Sequence, residues 1–133
     1  FIECFSACEN EFITIASKEK YDVQDLLIRS RILITDFSSV YFDFAYMGKT
    51  VVYYQFDEER FFNNHYQKGY FSYRRDGFGR VVTKESELFD EIKAILDSNC
   101  EMKTEYKLRR EDFFDLIDNK NCERNFQAIL SLK

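Results

Sequence analysis

The stretch "ILITDFSSVYFD", residues 32–43, decides the fold, because a strand pattern changes into a helix pattern within it. Residues 31–35 end in a continuous run of apolar and β-branched residues, which favours a central parallel strand covered on both faces. From Ser38 onward apolar residues recur at helical spacing, and Gly48 stands where it can end that helix. The stretch therefore predicts a strand, a sharp turn and a helix.

The flanking sequence continues this alternation. The patterns predict strands at residues 11–17, 31–35, 50–56 and 81–83, and helices at 22–30, 38–48, 84–99, 103–118 and 122–132. Asp22 is the expected N-cap of the first helix. Strands that alternate with helices indicate βαβ units, so we expect an α/β protein with a Rossmann-like parallel sheet and flanking helices.

Size and charge limit the classes of protein. The chain has 133 residues, of which 45% are hydrophobic, which suits one core and a single domain over residues 1–133. A net charge of -5 argues against a nucleic-acid partner, because phosphate binding needs a basic face. The chain begins with Phe1 and contains no apolar run of membrane-spanning length, so we expect a soluble piece of a longer protein.

The potential metal ligands are few. The four cysteines lack the paired spacing of a zinc site, and His65 is the one histidine in the sequence. We therefore expect reduced cysteines, no metal and no cofactor.

Residues 57–80 hold three of the four glycines and little periodicity, which predicts a long irregular loop. Loops of this length inside compact domains are usually functional. Arg74 and Arg75 alternate there with aromatic residues, as phosphate-binding side chains or as members of surface ion pairs. His65 is either a solvated loop residue or a contact in a ligand pocket.

Two adjacent serines, Ser38 and Ser39, stand where the strand becomes a helix. In open α/β sheets ligands bind at the carboxyl ends of the strands, where hydroxyls and helical N–H groups can donate to phosphate oxygens. The competing interpretation is a helix N-cap, which accounts for one serine but neither for the second nor for Asp36. Asp43 is either a surface acid or a group that contacts a ribose hydroxyl.

Residues 25–61, "DLLIRSRILITDFSSVYFDFAYMGKTVVYYQFDEERF", resemble the signature region of the CDP-glycerol glycerophosphotransferases, bacterial enzymes that polymerise teichoic acid chains. "GFGRVVTKESEL" at 77–88 and "FFDLIDNKNCER" at 113–124 are similar to later motifs of that family. The ordered series of similarities spans most of residues 22–127.

The resemblance implies the C-terminal half of a two-domain glycosyltransferase B-type fold, which binds the nucleotide donor. It implies that Ser38 and Ser39 hold the donor diphosphate, while Asp36, Asp43 and Gly69 lie at the ribose or elsewhere in the pocket. The implied reaction is transfer of glycerol phosphate from CDP-glycerol, or a related CDP-polyol, to a lipid-linked polyol-phosphate acceptor. The implied location is cytoplasmic, at the inner face of the bacterial membrane, with a further N-terminal domain as partner.

The sequence departs from the family pattern in three ways. Phe37 replaces a common tyrosine, Asn119 replaces a common glycine, and His65 matches none of the family's catalytic histidines. We therefore expect no catalytic residue in this chain and no activity from it alone. Two alternatives remain: an inactive nucleotide-binding or interaction module, and a CDP-ribitol or sugar-nucleotide transferase of the same fold.

Overall fold

The structure is a computed structural model that describes residues 2–64 and 69–132. The chain divides into two compact units, Phe1–Arg31 and Ile32–Lys133. The second unit contains a sheet of three parallel strands in the order β1-β2-β3, with β1 at Ile32–Thr35, β2 at Thr50–Tyr54 and β3 at Gly79–Val82. The predicted α/β fold with a parallel sheet and flanking helices is confirmed, and the single domain over residues 1–133 stays a prediction.

Helices account for most of the remaining regular structure. In the first unit α1 spans Ile2–Phe5, a 3-10 turn spans Ser6–Cys8, and α2 spans Val23–Arg29. In the second unit the helices are α3 (Val40–Tyr46), α4 (Glu58–Asn64), α5 (Tyr73–Asp76), α6 (Glu85–Asp97), α7 (Thr104–Phe113) and α8 (Asn121–Ser131).

The first unit confirms one local prediction and overturns another. Asp22 caps α2, because its carboxylate accepts hydrogen bonds from the N–H groups of Gln24 and Asp25. The strand predicted at 11–17 is wrong. The Asn10 side chain accepts hydrogen bonds from the two N–H groups at 12 and 13, which holds a turn, and Phe12 is 88% exposed instead of buried on a sheet face.

The central strand of the second unit is β2. Residues 31–35 were correctly predicted to contain a strand, but the prediction that this strand is central is wrong. β1 lies at the edge of the described sheet, and its Ile34 is 45% exposed. By contrast, the first four residues of β2 are buried. An apolar run shows that a strand is partly covered, but it does not show how many strands lie beside it.

The two faces of β2 pack against different helices, because successive side chains of a strand point to opposite faces. Val52 packs with Val82 of β3 and Ile95 of α6 in one apolar cluster. On the other face the ring of Tyr53 meets that of Tyr41 from α3 edge to face, with centroids 5.1 Å apart. The sheet is therefore sandwiched between α6 and α3.

Two glycines are required by the backbone. Gly48 ends α3 as predicted: it has a φ of +74°, and the N–H groups of Gly48 and Lys49 bond to the carbonyls of Ala45 and Phe44 in a Schellman motif. A Cβ on Gly79 would lie 1.8 Å from the Val51 carbonyl oxygen. Gly79 therefore permits β3 to pair closely with β2.

The region 57–80 is more regular than predicted. It contains α4 and α5, and the Ser72 side chain caps α5 by accepting a hydrogen bond from the Arg75 N–H. The missed helices are only 7 and 4 residues long, which is too short for a period to be visible in the sequence. The helix predicted at 103–118 ends at Phe113.

The closing segment of the chain is fastened to the end of α3. The Tyr46 hydroxyl donates to the Asp118 carbonyl at 2.7 Å and accepts from the amide of Asn121 at 3.0 Å. Arg124 pairs with both carboxylate oxygens of Asp118, and Arg110 donates to the Tyr46 carbonyl at 2.7 Å. The segment 110–124 thus fixes the C-terminal end of α3.

Glu91 is a buried carboxylate between two cations. It is 3% exposed, and it accepts hydrogen bonds from Arg80 at 2.9 Å and from Lys103 at 2.6 Å. Burial alone would raise the pKa of Glu91, but the bonds from Lys103 and Arg80 outweigh burial and hold that pKa below its usual value. The ion triad joins β3, α6 and the residue before α7.

Replacing this carboxylate should destabilise the protein. We expect Glu91→Gln to lower the free energy of unfolding by about 3 kcal/mol, because two charge-assisted bonds are lost at a buried site. Urea unfolding measures the change. The matched control is Asp90→Asn on the exposed side of α6, which should change stability by less than about 0.5 kcal/mol. Equal stabilities for the two variants would contradict the assignment.

The same site should make stability depend on pH. Because the folded pKa of Glu91 is lowered, its contribution is present above the unfolded pKa of about 4.3 and is lost as the pH falls through the folded pKa. We expect the stability difference between the parent and Glu91→Gln to be constant above about pH 5 and to shrink below about pH 4. Hydrogen bonds from Arg75 and Arg124 also lower the pKa values of Asp76 and Asp118. Both carboxyl groups are present in the parent and in the variant, so their contributions to stability cancel in this difference. A difference that stays constant down to pH 2 would contradict the prediction.

Candidate functional site

A large cleft with a volume of about 800 Å³ lies where β1 runs into α3. Four of the predicted site residues, Asp36, Ser38, Ser39 and Gly69, line it. The other lining residues are all aromatic: Phe37, Tyr41, Phe42, Phe61, Phe62, Tyr70, Phe71 and Tyr73. The structure therefore brings the serine pair together with part of the region 57–80.

The two serines are not equivalent. The Ser38 hydroxyl oxygen accepts a hydrogen bond from the Val40 N–H at 3.3 Å, so it takes the capping role. Ser39 occupies the N-cap position of the backbone, but its side chain forms no capping bond. Both residues are exposed at the cleft. Capping thus accounts for Ser38 and leaves the Ser39 hydroxyl available to a ligand.

Asp36 is held in place through its backbone. The side-chain amide of Gln55 donates to the Asp36 carbonyl at 3.1 Å, and Gln55 is 2% exposed. Gln55 was not among the predicted site residues. A polar residue directly after a buried strand was the available signal, because a buried amide needs a hydrogen-bond partner.

Aromatic rings of the cleft pack against one another beside the serine turn. Phe37 stacks on Phe61 with centroids 3.9 Å apart and planes 6° from parallel. Phe62 and Tyr73 meet the edge of the same ring at 5.7 and 5.9 Å. Phe37 therefore joins the serine turn to α4 and α5 through apolar contacts.

Two phenols of the cleft are coupled. Burial is the largest cause that raises the pKa of each, and the hydroxyls of Tyr41 and Tyr73 interact with each other. The charge of Asp36 raises the pKa of Tyr73 further. Both phenols therefore stay protonated at neutral pH and can act as neutral hydrogen-bonding groups, although neither was among the predicted site residues.

Three predicted residues lie outside this cleft. Asp43 is exposed on α3 and does not line it. Arg74 pairs with Glu58 at 3.5 Å, and Arg75 pairs with Asp76 at 2.7 Å. Both arginines therefore form surface ion pairs, which was the alternative to phosphate binding. They line two smaller neighbouring clefts, and their predicted phosphate contacts stay a prediction.

Other expectations concern metals and cysteines. Within residues 2–64 and 69–132, no cluster of three or more His, Cys, Asp or Glu side chains is arranged to hold a metal ion. The four cysteines are free thiols. His65 lies outside the described residues. No helix in the described part of the chain combines the length and apolar character needed to cross a bilayer.

The chain is similar to proteins of teichoic acid synthesis. A family model described as CDP-glycerol:poly(glycerophosphate) glycerophosphotransferase matches residues 5–131. The minor teichoic acid biosynthesis protein GgaB of Bacillus subtilis is 39% identical over 82% of this chain and 12% of its own length. The teichoic acid glycerol-phosphate transferase of Staphylococcus aureus is 28% identical over 81% of the chain and 28% of its own length.

A third relative is the teichoic acid poly(glycerol phosphate) polymerase of Bacillus subtilis, which is 26% identical over 77% of the chain and 14% of its own length. The chain thus matches between 12% and 28% of the length of these relatives. No solved structure matches the chain significantly.

Single serine substitutions should separate the two hydroxyls. We expect Ser38→Ala to lower the free energy of unfolding by about 1 kcal/mol, because the Val40 N–H loses its acceptor. Ser39→Ala should change it by less than about 0.5 kcal/mol, because the Ser39 side chain makes no capping bond. Urea unfolding of the two variants tests this. A larger loss for Ser39→Ala than for Ser38→Ala would contradict the assignment of the cap.

Proposed function

The chain belongs to the CDP-glycerol:poly(glycerophosphate) glycerophosphotransferase family, and we propose that it is the donor-binding part of a transferase. The donor is CDP-glycerol, and glycerol phosphate is transferred to a lipid-linked teichoic acid or a related cell-wall polymer. Relatives named as a teichoic acid glycerol-phosphate transferase and a poly(glycerol phosphate) polymerase support this proposal.

The observation that carries the proposal is the large cleft beside the serine turn. A pocket of about 800 Å³ is in the size range of small-molecule sites, which are mostly apolar with a few polar groups that fix orientation. Here Ser38, Ser39 and Asp36 are the polar groups, and aromatic rings form the rest. This combination suits a nucleotide, which has a charged diphosphate at one end and a flat base at the other.

The serine turn suits the diphosphate chemically. Ser39 offers a hydroxyl that no capping bond uses, and Ser38 can donate its own proton while its oxygen accepts from Val40. Bonds from such donors to phosphate oxygens are charge-assisted. Transfer of a phosphoryl group depends mainly on positioning and on stabilising developing charge, which fixed hydroxyls and amides can do.

The remaining parts of the reaction belong to the rest of the protein. The catalytic base and the binding site of the acceptor lie in a further domain in this proposal, which agrees with relatives of which the chain matches only 12% to 28% of the length. The whole protein would have a glycosyltransferase B-type architecture, with this chain in its C-terminal half. Its polymer acceptor is lipid-linked, which places the enzyme at the cytoplasmic face of the bacterial membrane as a peripheral protein.

The three residues proposed for the ribose or the rest of the pocket, Asp36, Asp43 and Gly69, differ in whether they line the cleft. Asp36 and Gly69 line the cleft and can border the ribose. Asp43 is exposed on α3 outside the cleft lining, so a ribose contact would require the donor to extend along that helix. The cleft position of Asp36 makes it the stronger candidate of the two acids.

Calorimetric titration with CDP-glycerol tests the proposal. We expect binding by the parent chain and a loss of at least about tenfold in affinity for the double variant Ser38→Ala with Ser39→Ala, because each charge-assisted bond contributes roughly 1.5–3 kcal/mol. Ser86→Ala, an exposed serine on α6, is the matched control and should bind like the parent.

CMP and UDP-glucose serve as comparison ligands. A preference for CDP-glycerol would separate the proposed donor from a sugar nucleotide. A double variant that binds as tightly as the parent would remove the serines from the site. A parent that binds none of these nucleotides would contradict the assignment of donor binding to this chain.

A further inference from the structure

Tyr70 differs from the other aromatic residues of the large cleft. Its side chain lines the cleft, yet the residue is 86% exposed. The other seven rings pack against one another; Tyr41 and Phe71, for example, stack with centroids 5.8 Å apart. Tyr70 has no comparable ring contact among the described residues. Tyr70 therefore presents an open aromatic face to the cleft.

The backbone at Tyr70 is held in place. The guanidinium of Arg75 donates to the Tyr70 carbonyl oxygen at 2.7 Å. Arg75 is itself fixed by two bonds of 2.7 Å to the carboxylate of Asp76, which also accepts from the Ser72 N–H at 2.8 Å. These bonds close a small polar network around residues 70–76. The exposed ring therefore extends from a backbone that is held at its carbonyl, and it is open to a ligand.

The chemistry of a nucleotide matches this ring. Hydroxyl donors suit phosphates, whereas the flat base is the part of a nucleotide that stacks on aromatic side chains. The serine turn and Tyr70 line the same cleft, so the two ends of one ligand can be bound there at once. The other rings are less available, because neighbouring rings already cover them, as Phe61 covers Phe37.

We infer that Tyr70 is the residue on which the base of the donor nucleotide stacks, and that Arg75 positions Tyr70. This inference rests on the proposed function, since it places the base of the proposed donor. It also gives Arg75 a use other than direct contact with phosphate. Stacking tolerates any base, so Tyr70 adds affinity for nucleotides without selecting cytosine over uracil.

The test compares ligands with and without a base on the 133-residue chain. CMP and UMP carry a base, and inorganic pyrophosphate carries only phosphates. The variants are Tyr70→Ala and Tyr70→Phe, with Phe89→Ala as the control because Phe89 is an exposed ring on α6, 61% accessible and away from the cleft. Calorimetry gives the affinities, and upfield shifts of the base protons H5 and H6 in NMR spectra report the stacking itself.

The expected result separates the ligands. Tyr70→Ala should weaken CMP and UMP by a similar factor of about ten and abolish the upfield shifts, while pyrophosphate binds as before. Tyr70→Phe and Phe89→Ala should bind all three ligands like the parent. Arg75→Ala should weaken CMP and UMP and leave pyrophosphate unaffected, whereas a phosphate contact would weaken all three.

Three outcomes would overturn the inference. If Tyr70→Ala binds CMP as the parent does while the double serine variant does not, the cleft is the donor site but Tyr70 is not its stacking ring. If Tyr70→Ala weakens CMP and pyrophosphate equally, the residue acts on the fold or on phosphate. A parent that binds neither nucleotides nor pyrophosphate would overturn the proposed function and the inference together.

Discussion

The burial of β2 on both faces is the constraint on which the second unit depends. Val52 must pack against α6, while Tyr53 must meet Tyr41 of α3. The second contact fixes α3 across the sheet, and the turn before α3 then has to lie at the carboxyl end of β1. The position of the serine pair is therefore a consequence of core packing.

How much the sequence could predict depends on the range of each interaction. Asp22 and Gly48 were predicted correctly because a cap and a helix end are decided by neighbouring residues. The strand at 11–17 and the central place of β1 were wrong, because both depend on what lies beside the strand in space. The prediction for the serine turn combined local sequence signals with a family resemblance. The interaction of Tyr41 with Tyr73, by contrast, joins residues that are far apart in the chain, and no periodic pattern in the sequence indicated it.

The serine turn shows how one short motif can meet two demands. A helix start needs an acceptor for its first N–H groups, and a phosphate needs donors. A single serine that capped the helix would offer its oxygen to the backbone first, as Ser38 does toward Val40. Because Ser39 follows it, the turn keeps a second hydroxyl for other contacts. The side-chain amide of Gln55 holds the backbone of Asp36, which precedes the serines.

The fastening of Tyr46 by the closing segment has a consequence for synthesis of the protein on the ribosome. Tyr46 and its partner Asp118 are 72 residues apart, and Arg124 lies further still. While the chain emerges from its N-terminal end, α3 can form and pack on β2 long before its anchor exists. The unit therefore reaches its final stability only after residue 124 has left the exit tunnel.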